Sequence, residues 1–160
     1  TATTTTEDSQ AKRFLFNASN RVPRKLKVIE ATNSWTYSTA TWRSANNSTV
    51  NRLQLMLGLS EDPVLAQVFV KSENSSGATN ASVGVGVDST SANSADLFGC
   101  GTPAAGIGDS IFCFYQGFPG VGFHFLQWLE NAVSAAAPQT WYGDSGGTTI
   151  QGGIMGTAWL

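Results

Sequence analysis

Alternation of apolar and polar residues is the feature that most limits how this 160-residue chain can fold. Leucines occupy every second position from Leu53 to Leu59, and Arg52 and Gln54 fall on the opposite face. A β-strand places every second side chain on the same face, whereas a helix would distribute these leucines around its axis. The pattern therefore predicts a strand with its leucine face buried and its other face solvated.

The same period of two predicts further strands along most of the chain. They are the segments around Phe14 and Phe16, around Leu26 and Val28, and 64–70, 83–87, 111–115, 123–129 and 149–160. In 83–87, Gly84 and Gly86 leave one face as bare backbone. Only 131–137, which Pro138 ends, favours a helical turn or two. Strands joined by turns rich in Gly, Ser and Asn predict an all-β fold, an antiparallel two-sheet sandwich or jelly roll.

The composition indicates one domain that is soluble with little charge. Charged residues make up 12% of the chain, against about 25% in ordinary soluble domains. Their place is taken by 17 Ser, 17 Thr and 10 Asn, a balance typical of extracellular and virion β-proteins. Residues 1–10 are of low complexity and polar, which predicts a flexible linker, and 11–160 is long enough for a single sandwich domain.

The charges are unevenly placed. Residues 1–71 contain all nine Lys and Arg and five carboxylates, a net charge of +4, whereas 72–160 contain six carboxylates and no Lys or Arg, a net charge of −6. The basic cluster from Arg21 to Lys27 alternates with apolar residues and includes Pro23, which favours a strand with a solvated face. An acidic second half repels phosphates, so we expect no nucleic-acid partner. We also expect no membrane insertion, because no apolar run approaches the roughly 18 residues that a spanning helix needs.

A Gly-Asp-Ser-Gly-Gly string at 143–147 is the strongest hint of catalysis. The same string surrounds the nucleophile of trypsin-like serine proteases, but such an enzyme also needs a histidine base held by a carboxylate. The single histidine, His124, is close to Ser145 in sequence, not on a separate upstream barrel. Gly, Asp and Ser each favour turns. We therefore expect a turn at Ser145, no catalytic residues and no enzymatic activity.

Cofactor and metal sites are not predicted. The chain has one His and no cysteine pair at metal-ligand spacing, and its aspartates lie in separate segments without a calcium-loop pattern. Cys100 and Cys113 flank a loop-like stretch, so a disulfide and a pair of buried free thiols both remain open.

Several blocks in order resemble the C-terminal β-sandwich domain of tailed-bacteriophage virion structural proteins, of the tail-fibre or head-fibre kind. The blocks are 33–40 (Asn-Ser-Trp-Thr-Tyr-Ser-Thr-Ala), 42–46, 51–62, 85–90, 122–130 and 141–147. Together they cover about residues 33–155. This resemblance implies a place on the outer surface of a virus particle and brings no catalytic residues with it.

Aromatic residues flanked by polar ones suggest a binding site. An exposed ring can stack on the C–H face of a sugar while nearby polar groups bond its hydroxyls. Trp141, Tyr142, Asp144 and Arg43 are the candidate ligand-binding residues. Core packing and packing between subunits are the alternatives for the same rings.

The expected function is that of a non-enzymatic virion surface domain, in a fibre, spike or decoration protein, that serves host-surface attachment or structural capping. Binding of a host cell-surface glycan would fit this role, and an extracellular carbohydrate-binding module is the alternative. The expected partners are other virion proteins and further copies of the chain, in a homo-oligomer and most simply a trimer. We expect the subunit contact near 123–129, which is apolar on both faces, or near the glycine face of 83–87.

Overall fold

The structure is a computed structural model, and it describes residues 8–15, 19, 21–75, 80–101, 105–132, 138–145 and 149–160. These residues form thirteen strands and one short 3₁₀ helix, Ala45–Asn47. The strands are β1 (Lys12–Arg13), β2 (Pro23–Ile29), β3 (Ser34–Tyr37), β4 (Arg43–Ser44), β5 (Arg52–Leu57), β6 (Val64–Asn74), β7 (Ala81–Val87), β8 (Leu97–Phe98), β9 (Cys100–Gly101), β10 (Gly108–Gly117), β11 (Gly122–Ala132), β12 (Gln139–Tyr142) and β13 (Gly153–Trp159).

The strands are arranged in two sheets packed face to face. The first sheet has the order β1-β5-β11-β7-β9, with β4 also paired to β11. The second has the order β2-β13-β6-β10-β8, and β12 joins it by pairing with β6 and β3. Among the described strands the pairings are antiparallel except for the short one between β1 and β5. The antiparallel two-sheet sandwich expected from the sequence is confirmed.

The core lies between the inner faces of the sheets. Leu53, Leu55 and Leu57 of β5 are buried, as the alternation predicts, whereas Leu59 follows the end of the strand and is only half-buried. Opposite them, the even-numbered residues of β6 point inward. They are Val64, Ala66, Val68, Val70, Ser72 and Asn74. The spacing of the leucines therefore identified the inward face of β5.

Three predictions of secondary structure need correction. The last strand begins at Gly153 and not at Thr149. The first strand is Lys12–Arg13, so Phe14 lies beyond it and packs its ring against Phe123 with centroids 5.9 Å apart; Phe16 lies outside the described residues. The helical turn expected over 131–137 is wrong at its start. Asn131 and Ala132 continue β11 because they stay in register with β7, and 133–137 lie outside the described residues.

Arg24, Lys25 and Lys27 of the basic cluster lie on the edge strand β2, whereas Arg21 precedes the strand and pairs with Asp62. Lys25 and Lys27 project from the outer face of the second sheet, and the Lys27 backbone N–H donates to the carbonyl of Gln10 at 2.6 Å. Residues 8–10 therefore contact the sandwich. Charged side chains on an edge strand discourage pairing with a strand of another chain.

The glycine face of β7 is covered by the chain itself. A Cβ added at Gly86 would lie 2.2 Å from the carbonyl oxygen of Ser89, and one at Gly84 would lie 2.4 Å from Oδ1 of Asn93. The same Asn93 oxygen accepts a bond from the backbone N–H of Val85 at 3.1 Å. The close approach that these glycines permit is thus used by residues 89–93, so the reason for expecting a subunit contact at 83–87 no longer holds.

We predict that Gly86→Ala destabilises the domain by about 1–3 kcal/mol, because the new methyl group overlaps the backbone of the covering segment. Urea unfolding of the variant and the parent measures the difference. Gly99→Ala is the matched control, since a Cβ there meets only the Phe112 carbonyl oxygen, at an ordinary 3.7 Å. Equal stability of the Gly86 variant and the parent would show that the segment does not pack on this face.

Candidate functional site

An apolar cleft of about 610 Å³ opens on the outer face of the second sheet. One row of paired residues runs across four strands there, from Ile29 on β2 through Gly153 and Phe69 to Phe112 on β10. Gly153 lines the cleft within this row. A Cβ added at Gly153 would lie 2.5 Å from the carbonyl oxygen of Val28, so this glycine permits the close approach of β2.

The side chains around the cleft are unusually exposed for their type. Phe69 is 49% exposed and Phe112 is 64% exposed, and the next row contributes Met155 at 39%. Lys27 is the one charged side chain among the described lining residues. A contiguous apolar patch with a polar rim commonly marks a contact surface, so this outer face is the candidate functional site.

Sequence reasoning missed this face, although one signal pointed to it. The segment 111–115 is apolar at every position, whereas a sheet with one solvated face has alternating strands. The inner positions, Ile111 and Cys113, are buried in the core, and the outer ones, Phe112 and Phe114, line the cleft. A strand apolar on both faces indicates a second contact surface.

Trp141 does not lie on a binding surface. It pairs in register with Ser72, an inward position of β6, and its side chain is fully buried between the sheets. The expectation of an exposed stacking ring at Trp141 is therefore wrong. The polar residues around it in sequence occupy the outer face of β12 and the following turn, while the ring itself belongs to the core.

Tyr142 lies on the outer face, beside the cleft. Its hydroxyl donates to Glu73 at 3.0 Å, and Nζ of Lys71 lies 4.7 Å from the centre of its ring. Burial, and then the hydrogen bond and charge of Glu73, raise the pKa of the Tyr142 hydroxyl. Along β6, Lys71 is the next outward-facing residue after Phe69. Tyr142, Lys71 and Glu73 form a polar group at one end of the apolar face.

Arg43 and Asp144 lie apart from this surface. The Arg43 guanidinium stacks on the Tyr37 ring at 3.7 Å and bonds Glu130. The Asp144 backbone N–H donates to the carbonyl of Thr32 at 3.1 Å, and its Oδ1 is buried without a partner among the described residues. The four candidate residues are thus divided between the interior, the outer face and the polar network around Glu130, and the structure does not bring them together as one site.

Glu130 is a fully buried carboxylate that joins the two sheets. Its Oε2 accepts from Trp35 Nε1 at 2.6 Å, and its Oε1 accepts from Arg43 Nε at 2.8 Å and from the Asn46 backbone at 3.2 Å. Burial raises the pKa of Glu130 to about 7, against the opposing effect of these donors. Trp35 belongs to the second sheet and Glu130 to the first, so the carboxylate ties them together.

A second carboxylate, Glu30, is connected to Glu130 through Asn46. The Asn46 side chain donates to Glu30 at 3.3 Å while its backbone N–H serves Glu130, and its φ of 55° lies in the left-handed region that asparagine tolerates. Asn51 also donates to Glu30. Burial acts to raise the pKa of Glu30, but the bonds from Asn51, Thr32 and Asn46 outweigh it, so the pKa is lowered.

Two carboxyl groups with pKa values moved in opposite directions are also typical of acid–base catalysis. Here the carboxyl with the raised pKa, Glu130, has no exposed surface, and both of its oxygens already accept bonds from the protein. A substrate would have to displace Trp35 or Arg43 to reach it. The network is better explained as a structural connection between sheets.

His124 lies beside Asp88 and Gly120. Its Nδ1 lies 2.7 Å from Asp88 Oδ2, and its Nε2 lies 3.2 Å from the carbonyl oxygen of Gly120. Both ring nitrogens thus face acceptors within the protein. Neither nitrogen bonds Ser145, and Gly146 and Gly147 of the string lie outside the described residues.

Cys113 is a buried free thiol, and burial raises its pKa to about 12. The disulfide alternative for Cys100 and Cys113 is therefore not formed. Within the part of the chain that the structure describes, no group of three or more His, Cys, Asp or Glu side chains is placed to hold a metal ion. No helix of that part is long and apolar enough to cross a membrane.

Comparison with protein-family models finds no family that matches the chain, and comparison with curated proteins finds no similar sequence. The functional interpretation therefore depends on the geometry of the outer face and on the sequence resemblance given above.

We predict that Glu130→Gln changes how stability depends on pH. The folded-state pKa is above the ordinary value of 4.5, so the folded domain holds this proton more tightly than the unfolded chain. The resulting stabilisation is complete below about pH 4.5 and is lost as the pH rises through about 7. Glutamine carries no such proton, so the fall in stability across this window should be smaller in the variant than in the parent.

Urea unfolding at pH steps between 4 and 8 (about one unit apart) measures this difference. Glu61→Gln is the control, because Glu61 is exposed on a loop and its replacement should leave the profile unchanged. Parallel profiles for Glu130→Gln and the parent would contradict a raised pKa at Glu130.

We also predict that Ser145 is not a nucleophile. A fluorophosphonate probe should leave the folded protein unlabelled, because both nitrogens of His124 are occupied. Mass spectrometry of the treated protein detects labelling, and a known serine hydrolase in the same tube confirms the probe. Stoichiometric modification of Ser145 would overturn the prediction.

Proposed function

We propose that the chain is a non-enzymatic β-sandwich domain on the outer surface of a virus particle, within a fibre, spike or decoration protein of a tailed bacteriophage. The observation that carries the proposal is the aromatic cleft on the outer face of the second sheet, with Phe69 and Phe112 both about half exposed or more. A contiguous exposed apolar patch of this kind commonly marks a contact surface. The domain acts through contact: host-surface attachment or structural capping.

The resemblance of the ordered sequence blocks to virion structural domains supports this location. The composition agrees with it, since a surface rich in Ser, Thr and Asn and poor in charge is typical of particles exposed to the extracellular medium. The proposed partners are other virion proteins and further copies of the chain.

The non-enzymatic part of the proposal is supported by the state of the ionisable residues. Glu130, whose pKa is raised, is buried and accepts hydrogen bonds from Trp35 and Arg43. Both ring nitrogens of His124 face oxygen atoms of the protein. Each of these groups has an evident structural role. Among the described residues that line the cleft, Lys27 is the one charged side chain and has no acid–base partner there.

An extracellular carbohydrate-binding module is the second candidate, and Tyr142 is the residue that favours it. Its half-buried ring lies on the outer face with Glu73 and Lys71 as polar neighbours. A ring with polar partners is suited to stacking on a sugar while bonding its hydroxyls. The same group of residues is the proposed contact if a virion domain attaches to a host glycan.

Antibodies raised against the 160-residue domain test the location. In electron micrographs of particles purified from the source of this sequence, gold-labelled antibody should bind intact, undisrupted particles at regular positions. Pre-absorption with the purified domain should remove the label. Label found only in the soluble fraction, with bare particles, would contradict a virion surface domain.

For glycan attachment we predict that Tyr142→Ala weakens binding without unfolding the domain, whereas Trp141→Ala destabilises the fold. Tyr142→Ala should keep the parent's circular dichroism and lower adsorption to host cells or their polysaccharide by at least about tenfold, which is the loss of roughly 1.4 kcal/mol of stacking and hydrogen bonding. Trp141→Ala should destabilise the core by about 3–5 kcal/mol.

Phe118→Ala is the control for adsorption, because Phe118 is 63% exposed, follows the end of β10 and does not line the cleft. Adsorption by the Tyr142 variant equal to that of the parent would exclude the polar end of the face from glycan binding. The virion location would stand, with a capping role in place of attachment.

A further inference from the structure

A polar pocket of about 510 Å³ lies at the end of the sandwich where β6 begins. Three segments that are distant in sequence meet there: the residues before β2, the turn before β6 and the end of β13. The described residues that line the pocket are Ser19, Arg21, Glu61, Asp62, Pro63 and Trp159. Tyr142 pairs with Lys71 near the other end of β6, so this pocket is separate from the polar group around Tyr142.

Asp62 is the buried acid of this pocket, with 4% of its side chain exposed. Its Oδ1 accepts a hydrogen bond from the Arg21 guanidinium. Its Oδ2 is buried and has no hydrogen-bond partner among the described residues. Buried polar atoms in folded proteins are nearly always paired. An unpaired carboxylate oxygen on a residue that lines a pocket therefore indicates a donor that comes from a bound molecule.

Trp159 contributes an aromatic ring to the same pocket. It is the last residue of β13 and pairs in register with Pro23 on β2. Trp128 and Trp141 are fully buried, whereas Trp159 is only half-buried. The ring and the buried carboxylate of Asp62 thus line one pocket from different strands.

The charges in the pocket favour a neutral ligand that both donates and accepts hydrogen bonds. Glu61 and Asp62 are acidic, so they repel an anion. A cation beside Asp62 would meet the guanidinium of Arg21, which already pairs with that carboxylate. Hydroxyl groups satisfy both kinds of partner, since each can donate to a carboxylate and accept from a guanidinium.

A purely structural role for the Arg21–Asp62 pair explains only part of this arrangement. The pair connects the segment before β2 to the turn before β6. That connection uses Oδ1 of Asp62 and leaves Oδ2 without a partner among the described residues. It also gives no reason for the ring of Trp159 to line the same pocket.

We propose that this pocket binds one pyranose ring of a neutral saccharide. The C–H face of the sugar stacks on Trp159, one hydroxyl donates to Oδ2 of Asp62, and a neighbouring hydroxyl accepts from the Arg21 guanidinium. The terminal torsion of an aspartate side chain is soft, so a small rotation of the carboxyl group brings Oδ2 to the sugar. A volume of about 510 Å³ lies within the range of about 300–1,000 Å³ that is usual for small-molecule sites.

This saccharide site goes beyond the proposed function, because it depends on the chemistry of the pocket and not on where the domain is located. If the domain does attach to a host glycan, the pocket supplies a contact in addition to the one proposed at Tyr142. Linked contacts strengthen overall binding through effective concentration. A polymeric glycan would then be held more firmly than a single sugar.

Two-dimensional NMR of the isotope-labelled 160-residue chain tests the site. The methyl glycosides of glucose, galactose, mannose and N-acetylglucosamine are titrated separately into the millimolar range. At least one of them should shift the indole signal of Trp159 and the backbone amide signals of Glu61 and Val64. The indole signal of Trp42 should not shift, because its ring packs against Phe98 at 6.0 Å and does not line the pocket.

Variants assign the contacts, with the amide signals of Glu61 and Val64 as the measure of affinity. Trp159→Leu removes the stacking surface and should weaken binding at least about tenfold while circular dichroism stays unchanged. Asp62→Asn should weaken binding by a similar factor, because it removes the carboxylate acceptor. Trp42→Leu is the matched control and should leave the affinity unchanged. If Asp62→Asn does not fold, the comparison of Trp159→Leu with Trp42→Leu decides the result.

Spermidine and glucuronate, titrated in the same way, represent a cationic and an anionic ligand. Both should produce smaller shifts than the best neutral glycoside. No response to any of the four glycosides, a stronger response to spermidine or glucuronate, or parental affinity in Trp159→Leu would overturn the proposal.

The outcomes separate this inference from the proposed function. Antibody-labelled particles together with a domain that does not respond to the glycosides would refute the saccharide site and leave the virion location in place. A response at Trp159 together with unlabelled particles would do the reverse.

Discussion

The register of β6 determines the rest of this structure. The strand pairs along its length with β10 on one side and with β13 and β12 on the other. Because its side chains alternate, Val68 is sealed in the core while Phe69 is half exposed on the outer face. A shift of one residue would exchange these two faces across every paired strand. The same register therefore fixes the core and the aromatic row that we propose as the contact surface.

A buried charge network stabilises the end of the sandwich where β3, β4 and β11 meet. Glu130 is surrounded by Trp35, Arg43 and the Asn46 backbone, and Asn46 extends the network to Glu30. Removing one partner of a buried pair usually costs about 3–5 kcal/mol, because the remaining charge is left uncompensated. The left-handed backbone of Asn46 is maintained by these bonds. This network gives a structural reason for the polar and aromatic residues that, in sequence, resemble a binding site.

The sequence was sufficient for the fold and insufficient for the site, for a physical reason. The leucines of β5 alternate with polar residues, so only one face can be buried, and that prediction is confirmed. In β12, Trp141 and Tyr142 are both aromatic, so the pattern does not say which ring faces the core. The register with Ser72 and Lys71 decides it. The cleft depends on residues from four strands that are distant in sequence, and the pairing of these strands brings them together.

Hydroxyl-radical footprinting of the side chains in the isolated domain tests the central claim most directly. If the register of β6 is correct, Phe69, Phe112 and Met155 should be oxidised, because all three are exposed on the outer face. Trp141 should be protected, and Phe118 should be oxidised. Oxidation of Trp141 together with protection of Phe69 in the folded, monomeric domain would contradict the register.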